Sequence, residues 1–455
     1  MTSINTREIA LSVLIECIEE GEHSHIVLRG TLEKYQFASK QDRALITKLV
    51  EGTIENLIKI DYITNQYSKV KVKKMKPFIR NLIRMSVYQI LFMDRIPDSA
   101  ACNEAVKLAK RKNFGNLSGF VNGVLRTIAR EKDSISYPGK EENITTYLSV
   151  KYSMPEWIVE LWHDTYGIEL TEQICAGLLC EKKTTIRCRN HRQTVEELVS
   201  MLREDHVTAE SSEYLPYALE ISDYNYLKAV KAFREGRFAV QDISSMMVVE
   251  LAGIKAGDFV LDVCAAPGGK SMHAADVLNG TGMVEARDLT EYKTDFIHEN
   301  MERLGIENMR VAEMDALCYD TTMEEKSDVV IADLPCSGLG VIGRKKDIKY
   351  KIIPDTLEEL SALQKNILDV VCRYVKPGGT LMFSTCTIHQ GENEENVRYF
   401  LENHKEFEAV PFYDELPEVC KNETAKEGYI QFLPGINQTD GFFIAKFRRK
   451  ALTIE

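Results

Sequence analysis

The sequence contains no run of about 18 apolar residues, the length that a membrane-spanning helix needs. Its N-terminal segment carries acidic side chains among the apolar ones, unlike a secretory signal. The 11 cysteines are scattered without a C-x-x-C pair, which argues against a disulfide framework and a zinc site. These absences exclude membrane and secreted classes, and we expect a cytoplasmic protein that binds no metal.

Charge is distributed unevenly along the 455 residues, a length that suggests roughly three domains. Residues 1–140 contain 23 Lys and Arg against 15 Asp and Glu, a net charge of +8, whereas the whole chain carries −12. The remaining residues therefore carry −20. Such asymmetry indicates a polyanion-binding module joined to a different module. The densest basic stretch, residues 68–80, is a candidate RNA contact, although a solvated surface explains it equally well.

Hydrophobic periodicity predicts a multidomain protein. Residues 1–135 show apolar residues at three-to-four spacing and predict an all-α domain. Residues 145–240 mix strand and helix patterns and predict a small α+β module. Short apolar strands alternate with helices over residues 241–450, which predicts an α/β domain with a parallel sheet covered on both faces. Ligands of such a sheet bind at the carboxyl ends of its strands.

The first strand of the α/β domain leads into the glycine-rich stretch CAAPGGKS, residues 264–271. Small residues here let the backbone approach a ligand, and the following helix directs its amide groups into the same space. The stretch differs from the dinucleotide motif G-x-G-x-x-G, and Cys264 stands where a phosphate-binding loop requires glycine. The predicted cofactor loop consists of Cys264, Ala265, Ala266, Pro267, Gly268, Gly269 and Lys270.

Each of the next three predicted strands ends in an acid: Asp288, Asp315 and Asp333. One such acid is most often a helix cap or a solvated side chain, but three along one sheet edge favour a ligand. A carboxylate suits a ribose diol or an adenine amine, and both groups occur in S-adenosylmethionine. That cofactor has no phosphate, which agrees with an acidic crevice.

Two cysteines follow neighbouring predicted strands, Cys336 in IADLPCSGLG and Cys386 in LMFSTCTIHQ. A lone cysteine is usually a small core residue. Two thiols at adjacent strand ends beside a cofactor loop instead favour a reactive role, since a thiolate is a good nucleophile. Spacing alone does not tell which cysteine attacks.

The motifs LDVCAAPGGKS, DLPCSG and FSTCT together resemble those of the RNA 5-methylcytosine methyltransferases. Segments along nearly the whole chain, including FVNGVLR and VQDISSMMVVELAG, are similar to the bacterial enzymes of that family that modify 16S ribosomal RNA. The N-terminal part resembles the NusB antitermination factor, an RNA-binding helical domain. The resemblance implies a Rossmann-like catalytic domain with an antiparallel last strand, S-adenosylmethionine as cofactor, and naked or partly assembled small-subunit ribosomal RNA as partner.

The same resemblance implies the roles of individual residues. Cys386 is expected to be the nucleophile and Cys336 to promote product release. Asp333 is expected to hydrogen-bond the cytosine edge, with Lys270 near the same pocket. In GRKKDIKYK, residues 343–351, Arg344, Lys345 and Lys346 are candidates for contacts with RNA phosphates, although a solvated surface loop is nearly as good an explanation. The acids of QGENEENV are expected in the first turn of a helix.

Alternative functions remain open at this point. The same chemistry suits another RNA, such as 23S ribosomal RNA or transfer RNA. A DNA cytosine-5 methyltransferase would use the cysteine after proline as nucleophile, and the basic helical N-terminus counts against it. A non-catalytic RNA-binding assembly factor is disfavoured by intact thiols and acids at every motif. A monomer is the default expectation for the oligomeric state.

Overall fold

The computed structural model describes residues 4–451, which form two compact units. One unit contains the chain up to Leu179 together with Ile342–Lys351. The other contains Cys180–Val341 and the chain from Ile352 onward. The catalytic motifs of the sequence all lie in the second unit.

Helices make up the first unit, as the sequence predicts for residues 1–135. Side chains of Asn5, Ser39 and Asn143 cap the N-termini of three of them by accepting backbone N–H groups. Gly167, with a φ of 75°, interrupts the last and longest. In chain order the helices are α1 (Thr6–Glu19), α2 (Ser24–Lys34), α3 (Lys40–Glu55), α4 (Leu57–Tyr67), α5 (Pro77–Phe92), α6 (Asp98–Arg111), α7 (Ser118–Glu131), α8 (Ile144–Tyr152) and α9 (Glu156–Leu179).

Helix α5 lies in the core of this unit, where it contacts α1, α3, α4, α6 and α7. Residues on all sides of α5 are buried, among them the apolar Leu82, Ile83 and Val87. A helix that packs against neighbours all round needs more than one apolar face, as this sequence has. No helix in the part of the chain that the structure describes is long and apolar enough to cross a membrane.

The second unit begins with a small four-stranded antiparallel sheet of order β2-β3-β1-β4. A capping box formed by Thr194 and Glu197 starts its main helix. Strand β2 is mostly exposed and polar, and the sequence did not predict it. The elements are β1 (Thr184–Cys188), α10 (Val195–Glu204), β2 (Thr208–Ser211), β3 (Ala218–Ser222), α11 (Lys231–Arg234) and β4 (Phe238–Val240).

An eight-stranded sheet of order β10-β12-β9-β8-β5-β6-β7, with β11 paired to β12, forms the rest of the second unit. Strands β5 to β9 pair in parallel, and β12 runs antiparallel to β9. The predicted Rossmann-like fold with an antiparallel last strand is therefore confirmed. The elements are α12 (Ile243–Leu251), β5 (Phe259–Asp262), α13 (Gly269–Leu278), β6 (Met283–Asp288), α14 (Glu291–Leu304), β7 (Met309–Glu313), β8 (Ser327–Asp333), α15 (Ile348–Lys351, in the first unit), α16 (Pro354–Val371), β9 (Val375–Thr385), α17 (Glu394–Asn403), β10 (Phe407–Ala409), β11 (Tyr429–Phe432) and β12 (Phe442–Arg449).

Consecutive side chains along the strands of the large sheet pack against helices on opposite faces of the sheet. Val260 and Ile331 belong to the core cluster that includes residues of α12, α13 and α14. Leu261 and Val330, their neighbours along the same strands, belong to the cluster with α16 and α17. Because β5, β6, β7, β8 and β9 are parallel, their carboxyl ends meet at one edge, where the candidate site lies.

Candidate active site

The loop between β5 and α13 is held in one conformation by close packing. Strand β5 ends at Asp262, and α13 begins at Gly269. Gly268 has a φ of +98°, and a Cβ atom there would lie 2.6 Å from Cε of Met272. Only glycine satisfies both conditions without strain. The predicted cofactor loop is therefore a preformed turn at the edge of the sheet.

Asp288 and Asp315 both follow strands, as predicted, and both bind backbone amides. The Oδ2 atom of Asp288 accepts a hydrogen bond from the Ala266 N–H at 2.9 Å, and its Oδ1 lies 2.9 Å from Nζ of Lys293. Asp288 is thus tied directly to the cofactor loop. Asp315 accepts from the Leu317 N–H at 2.9 Å and closes the turn after β7. Their roles as cofactor ligands stay predictions.

A cavity of about 140 Å³ lies against the cofactor loop. It brings together most of the predicted loop and one predicted catalytic acid. It also includes residues that sequence reasoning missed. The lining residues are Cys264, Ala265, Ala266, Pro267, Gly269, Lys270 and Asp333 from the prediction, with Val240, Gln241, Asp242, Ser245 and Asp262 in addition.

Asp262 is the most unusual of these added residues. Its Oδ2 atom accepts a hydrogen bond from Ser271 Oγ at 2.6 Å, whereas its buried Oδ1 has no hydrogen-bond partner among the described residues. Burial raises the pKa of this carboxyl from 3.8 to about 7. An unsatisfied buried oxygen at the lining of a cavity is a natural contact for a ligand's donor group.

Lys270 and Asp333 form an ion pair at the same edge. The distance between Lys270 Nζ and Asp333 Oδ2 is 2.5 Å, and Ser384 Oγ donates to Asp333 Oδ1 at 2.7 Å. Lys270 is buried, and its ammonium lies 5.1 Å from the centroid of the Phe442 ring. Asp333 is thus fixed by partners on both of its oxygens.

The two cysteines meet at the ends of β8 and β9. Their sulfur atoms lie 3.3 Å apart, and the Cys386 N–H donates to Cys336 Sγ, also at 3.3 Å. Both residues are partly exposed. The interaction with the Cys386 sulfur, reinforced by burial, raises the pKa of Cys336 well above its usual value. Burial likewise raises the pKa of Cys264 in the cofactor loop, which keeps that thiol protonated.

In the basic segment 343–351, Arg344 and Lys345 are exposed, as expected for a surface loop, but the lysines that follow are not. Lys349 is buried within the helical unit, where its Nζ donates to the carbonyl oxygens of Glu55 at 2.9 Å and Ser153 at 2.6 Å. Burial lowers the pKa of Lys349 to about 7. Lys346 pairs with the Glu55 side chain. These two lysines therefore serve the packing of the segment.

The acids of QGENEENV are divided between two environments. Glu394 and Glu395 lie in the first turn of α17, as expected. Glu392 precedes the helix and is completely buried. The expectation of a dipole interaction is therefore wrong for Glu392, because its side chain points into the protein toward the Cys336 loop.

Three regions of the chain match models of known families. Residues 4–130 match the NusB family, and residues 154–225 match a ferredoxin-like domain of RsmF/B-like methyltransferases. Residues 249–448 match the family described as 16S rRNA methyltransferase RsmB/F. The similarity to NusB that the sequence suggested is confirmed.

Curated relatives extend this likeness over the whole chain. A Bacillus subtilis (strain 168) protein named "Probable ribosomal RNA small subunit methyltransferase B" is 36% identical over 99% of this chain and 100% of its own length. The chain belongs to the ribosomal RNA small subunit methyltransferase B family. A Synechocystis member with the same name is 30% identical over 98% of this chain and 100% of its own length.

A solved structure supports the fold of this methyltransferase B family member. The crystal structure of PH0851 superimposes with a TM-score of 0.82 at 26% identity, covering 98% of this chain and 99% of that one. The chain is thus an S-adenosylmethionine-dependent ribosomal RNA methyltransferase with a NusB-like N-terminal domain.

Proposed function

We propose that this chain methylates carbon 5 of a specific cytosine in 16S ribosomal RNA, through a covalent adduct between Cys386 and carbon 6. The observation that carries the proposal is the 3.3 Å separation of the Cys336 and Cys386 sulfurs at one sheet edge. Asp333 at that edge also lines the cofactor cavity. Two thiols beside a methyl-donor site suit cytosine carbon 5, which needs an attacking thiolate.

The cavity has the chemistry that S-adenosylmethionine requires. Its lining contains three acidic side chains, Asp242, Asp262 and Asp333, and one ammonium, Lys270, so that acceptor oxygens predominate there, which suits a ligand with cationic and N–H groups. The unpartnered Oδ1 of Asp262 offers an acceptor there. When bound, the cofactor supplies an electrophilic methyl group. The residues proposed to hold it are Cys264, Ala265, Ala266, Pro267, Gly268, Gly269, Lys270, Asp288, Asp315 and Asp333.

Cys386 makes the first bond of the proposed reaction. After its proton has passed to water, its thiolate adds to carbon 6 and makes the electron pair of the carbon 5–carbon 6 double bond available at carbon 5. That pair would form the new bond to the methyl carbon as the methyl–sulfonium bond breaks with its electron pair left on the donor sulfur. Either thiol can donate in the 3.3 Å contact between the two sulfurs, and Cys336, whose pKa is raised, is proposed as the donor to Cys386 when the carbon–sulfur bond breaks.

Asp333 and Lys270 are proposed to hold the base. Addition at carbon 6 develops negative charge on the ring, which a proton taken from water at ring nitrogen 3 relieves; this proton returns to water when the bond to Cys386 breaks. A hydrogen bond from that N–H to the Asp333 carboxylate stabilises the protonated ring. Lys270 and Ser384 fix the carboxylate for this task.

Product release breaks the bond between the Cys386 sulfur and carbon 6. The proton on carbon 5 passes to water, the double bond between carbons 5 and 6 forms again, and the electron pair of the carbon–sulfur bond leaves with Cys386. The S–H of Cys336 then donates to the departing sulfur and stabilises its charge. Cys336 is therefore proposed to act in release and Cys386 in attack.

The target cytosine must be accessible to both cysteines. A paired base hides carbon 6 within the stack, so the substrate is an unpaired or flipped-out cytosine in naked or partly assembled small-subunit RNA. The net charge of +8 on residues 1–140 suits contacts with the surrounding phosphates. We further propose that the enzyme is a monomer and that it acts in the cytoplasm, where ribosomes assemble. Its proposed domains are residues 1–135, 145–240 and 241–450.

Labelled cofactor and a panel of nucleic acids test this function. The substrates are 16S ribosomal RNA from cells lacking the enzyme, 23S ribosomal RNA, transfer RNA and duplex DNA, with Cys386→Ala protein as the control. We expect label only in 16S RNA, and bisulfite mapping should locate one new 5-methylcytosine. Preferential labelling of another substrate would contradict the choice of RNA, and label without 5-methylcytosine would contradict the chemistry.

A further inference from the structure

Two fully buried polar residues between β9 and α17 have no part in the mechanism above. Glu392 and Asn393 both have 0% exposure. A carboxylate at this depth is costly unless every oxygen is paired. The hydrogen bonds of both residues lead to the segments that flank the two catalytic cysteines.

Glu392 holds the segment around Cys336. Its Oε2 accepts from the Ser337 N–H at 2.9 Å, and its Oε1 accepts from the Ser337 hydroxyl at 2.6 Å. The Gln364 amide donates to Glu392 Oε2 at 3.0 Å and to the Pro335 carbonyl at 2.8 Å. The residues immediately before and after Cys336 are thus fixed by one buried group of side chains.

Asn393 does the same for Cys386. Its Oδ1 accepts from Thr385 Oγ1 at 2.6 Å, and its Nδ2 donates to the Thr387 carbonyl at 3.2 Å. A contact of 2.6 Å between the Ser337 and Thr387 hydroxyls joins the two halves. Because Ser337 donates to Glu392, Thr387 is the donor in that contact.

The charge of Glu392 also affects the pKa of Cys336. The carboxylate adds to the causes that raise the pKa of Cys336, although the Cys386 sulfur and burial contribute more. A glutamine would fill the same space and accept from Ser337, but it would lack the charge. His389, whose Nδ1 lies 3.3 Å from Glu392 Oε1, is a further titratable group that faces the carboxylate.

We propose that Glu392 is a positioning residue for product release: it holds the Pro335–Ser337 segment so that the Cys336 S–H faces the Cys386 sulfur when the carbon–sulfur bond breaks. The inference rests on the proposed cytosine-5 chemistry. It assigns a role in the later half of the reaction, because attack by Cys386 needs no contact with Glu392. Ser337, whose N–H and hydroxyl both donate to the carboxylate, is the intermediary.

Burst kinetics separate this role from a merely structural one. Glu392→Gln protein is mixed with labelled S-adenosylmethionine and excess 16S ribosomal RNA, and both the first-turnover burst and the steady-state rate are measured per folded enzyme. Covalent enzyme–RNA adduct is scored on denaturing gels. Glu395→Gln is the control, since Glu395 lies in the next helix with a half-exposed side chain.

The expected result is a burst close to that of the wild type, a steady-state rate at least roughly tenfold lower, and accumulated adduct, since one support of the release geometry is weakened. Ser337→Ala should act in the same direction, and it provides the test if Glu392→Gln fails to fold. Wild-type rates in the folded variant, or a burst and a steady-state rate that fall together without adduct, would overturn the role of Glu392.

A parallel Cys386→Ala sample keeps the two proposals distinguishable. If Cys386→Ala still methylates the RNA, the covalent mechanism itself fails. If Cys386→Ala is inactive while Glu392→Gln and Ser337→Ala turn over like the wild type, only the positioning role fails.

Discussion

The sulfur atoms of Cys336 and Cys386 lie 3.3 Å apart although 50 residues separate them in sequence. Their proximity follows from the sheet, because β8 and β9 are parallel neighbours in which Asp333 pairs with Ser384. Each cysteine therefore leaves the sheet at the same edge. This arrangement lets one thiol donate to the other, as the proposed roles of Cys386 in attack and Cys336 in release require.

Single substitutions of the two cysteines should have opposite effects on the adduct. Cys386→Ala is expected to abolish both methyl transfer and adduct, since the attacking sulfur is gone. Cys336→Ala is expected to let adduct accumulate, because the departing sulfur loses its S–H donor. Denaturing gels with labelled RNA measure both. Cys372→Ala, at a buried cysteine of the same unit, is the control for loss of a thiol. Methylation at wild-type rates by both variants would end the mechanism.

Asp262 should make stability depend on pH. Its folded-state pKa of about 7 lies above its ordinary value of 3.8, so its contribution is fully present below about pH 4 and is lost as the pH rises toward 7. Asp262→Asn should therefore lose less thermal stability than the wild type between about pH 5 and about pH 8. Melting curves at each pH measure this. Asp355→Asn, at an exposed acid, should follow the wild type, and a parallel profile for Asp262→Asn would contradict the assignment.

The Lys270–Asp333 pair should show coupling. Lys270→Met leaves the carboxylate without its ammonium, so melting should occur at a lower temperature than in the wild type. The double variant Lys270→Met/Asp333→Asn should recover part of this loss, with a coupling of about 1 kcal/mol or more. Lys376→Met, from a more exposed pair with Asp328, is the control and should change little. Additive losses in the double variant would show that the pair is not coupled.

Lysines of the basic stretch should contribute to RNA binding. Lys73 and Lys74 are exposed and form no ion pair among the described residues. Replacing both with alanine should weaken 16S RNA binding and reduce the slope of log affinity against log salt by about 2. Filter binding at several salt concentrations measures the slope. Lys107→Ala, at a lysine paired with Glu104, should change it less. An unchanged slope in the double variant would show that Lys73 and Lys74 do not contact the RNA phosphates.

Patterns of apolar residues were sufficient to predict most of the fold. The strand from Phe259 to Asp262 and the antiparallel strand from Phe442 to Arg449 lie where apolar runs placed them, because burial on both sheet faces selects such runs. Strand Thr208–Ser211 was missed since its side chains are largely exposed and polar. The burial of Lys349 could not be predicted, because a basic segment gives no sign that backbone carbonyls will receive its ammonium.

The site residues that lie at the ends of strands could be predicted from the sequence. Those whose role depends on tertiary contacts could not. Asp333 ends β8, and Cys336 and Cys386 follow β8 and β9, so parallel pairing of these strands brings the three residues to one edge. Asp262 was missed although it also ends a strand, since its burial and its unpartnered oxygen depend on surrounding packing. Glu392 looks like part of an acidic helix start, and only its contacts with Ser337 reveal another role.

The identity of the attacking sulfur is the central claim, and trapping tests it most directly. In 16S ribosomal RNA made with 5-fluorocytidine, fluorine replaces the proton that must leave carbon 5, so the wild-type adduct cannot resolve. Proteolysis of the trapped complex and mass spectrometry then identify the modified peptide. We predict that the nucleotide is bound to Cys386; a nucleotide bound to Cys336 would contradict the account.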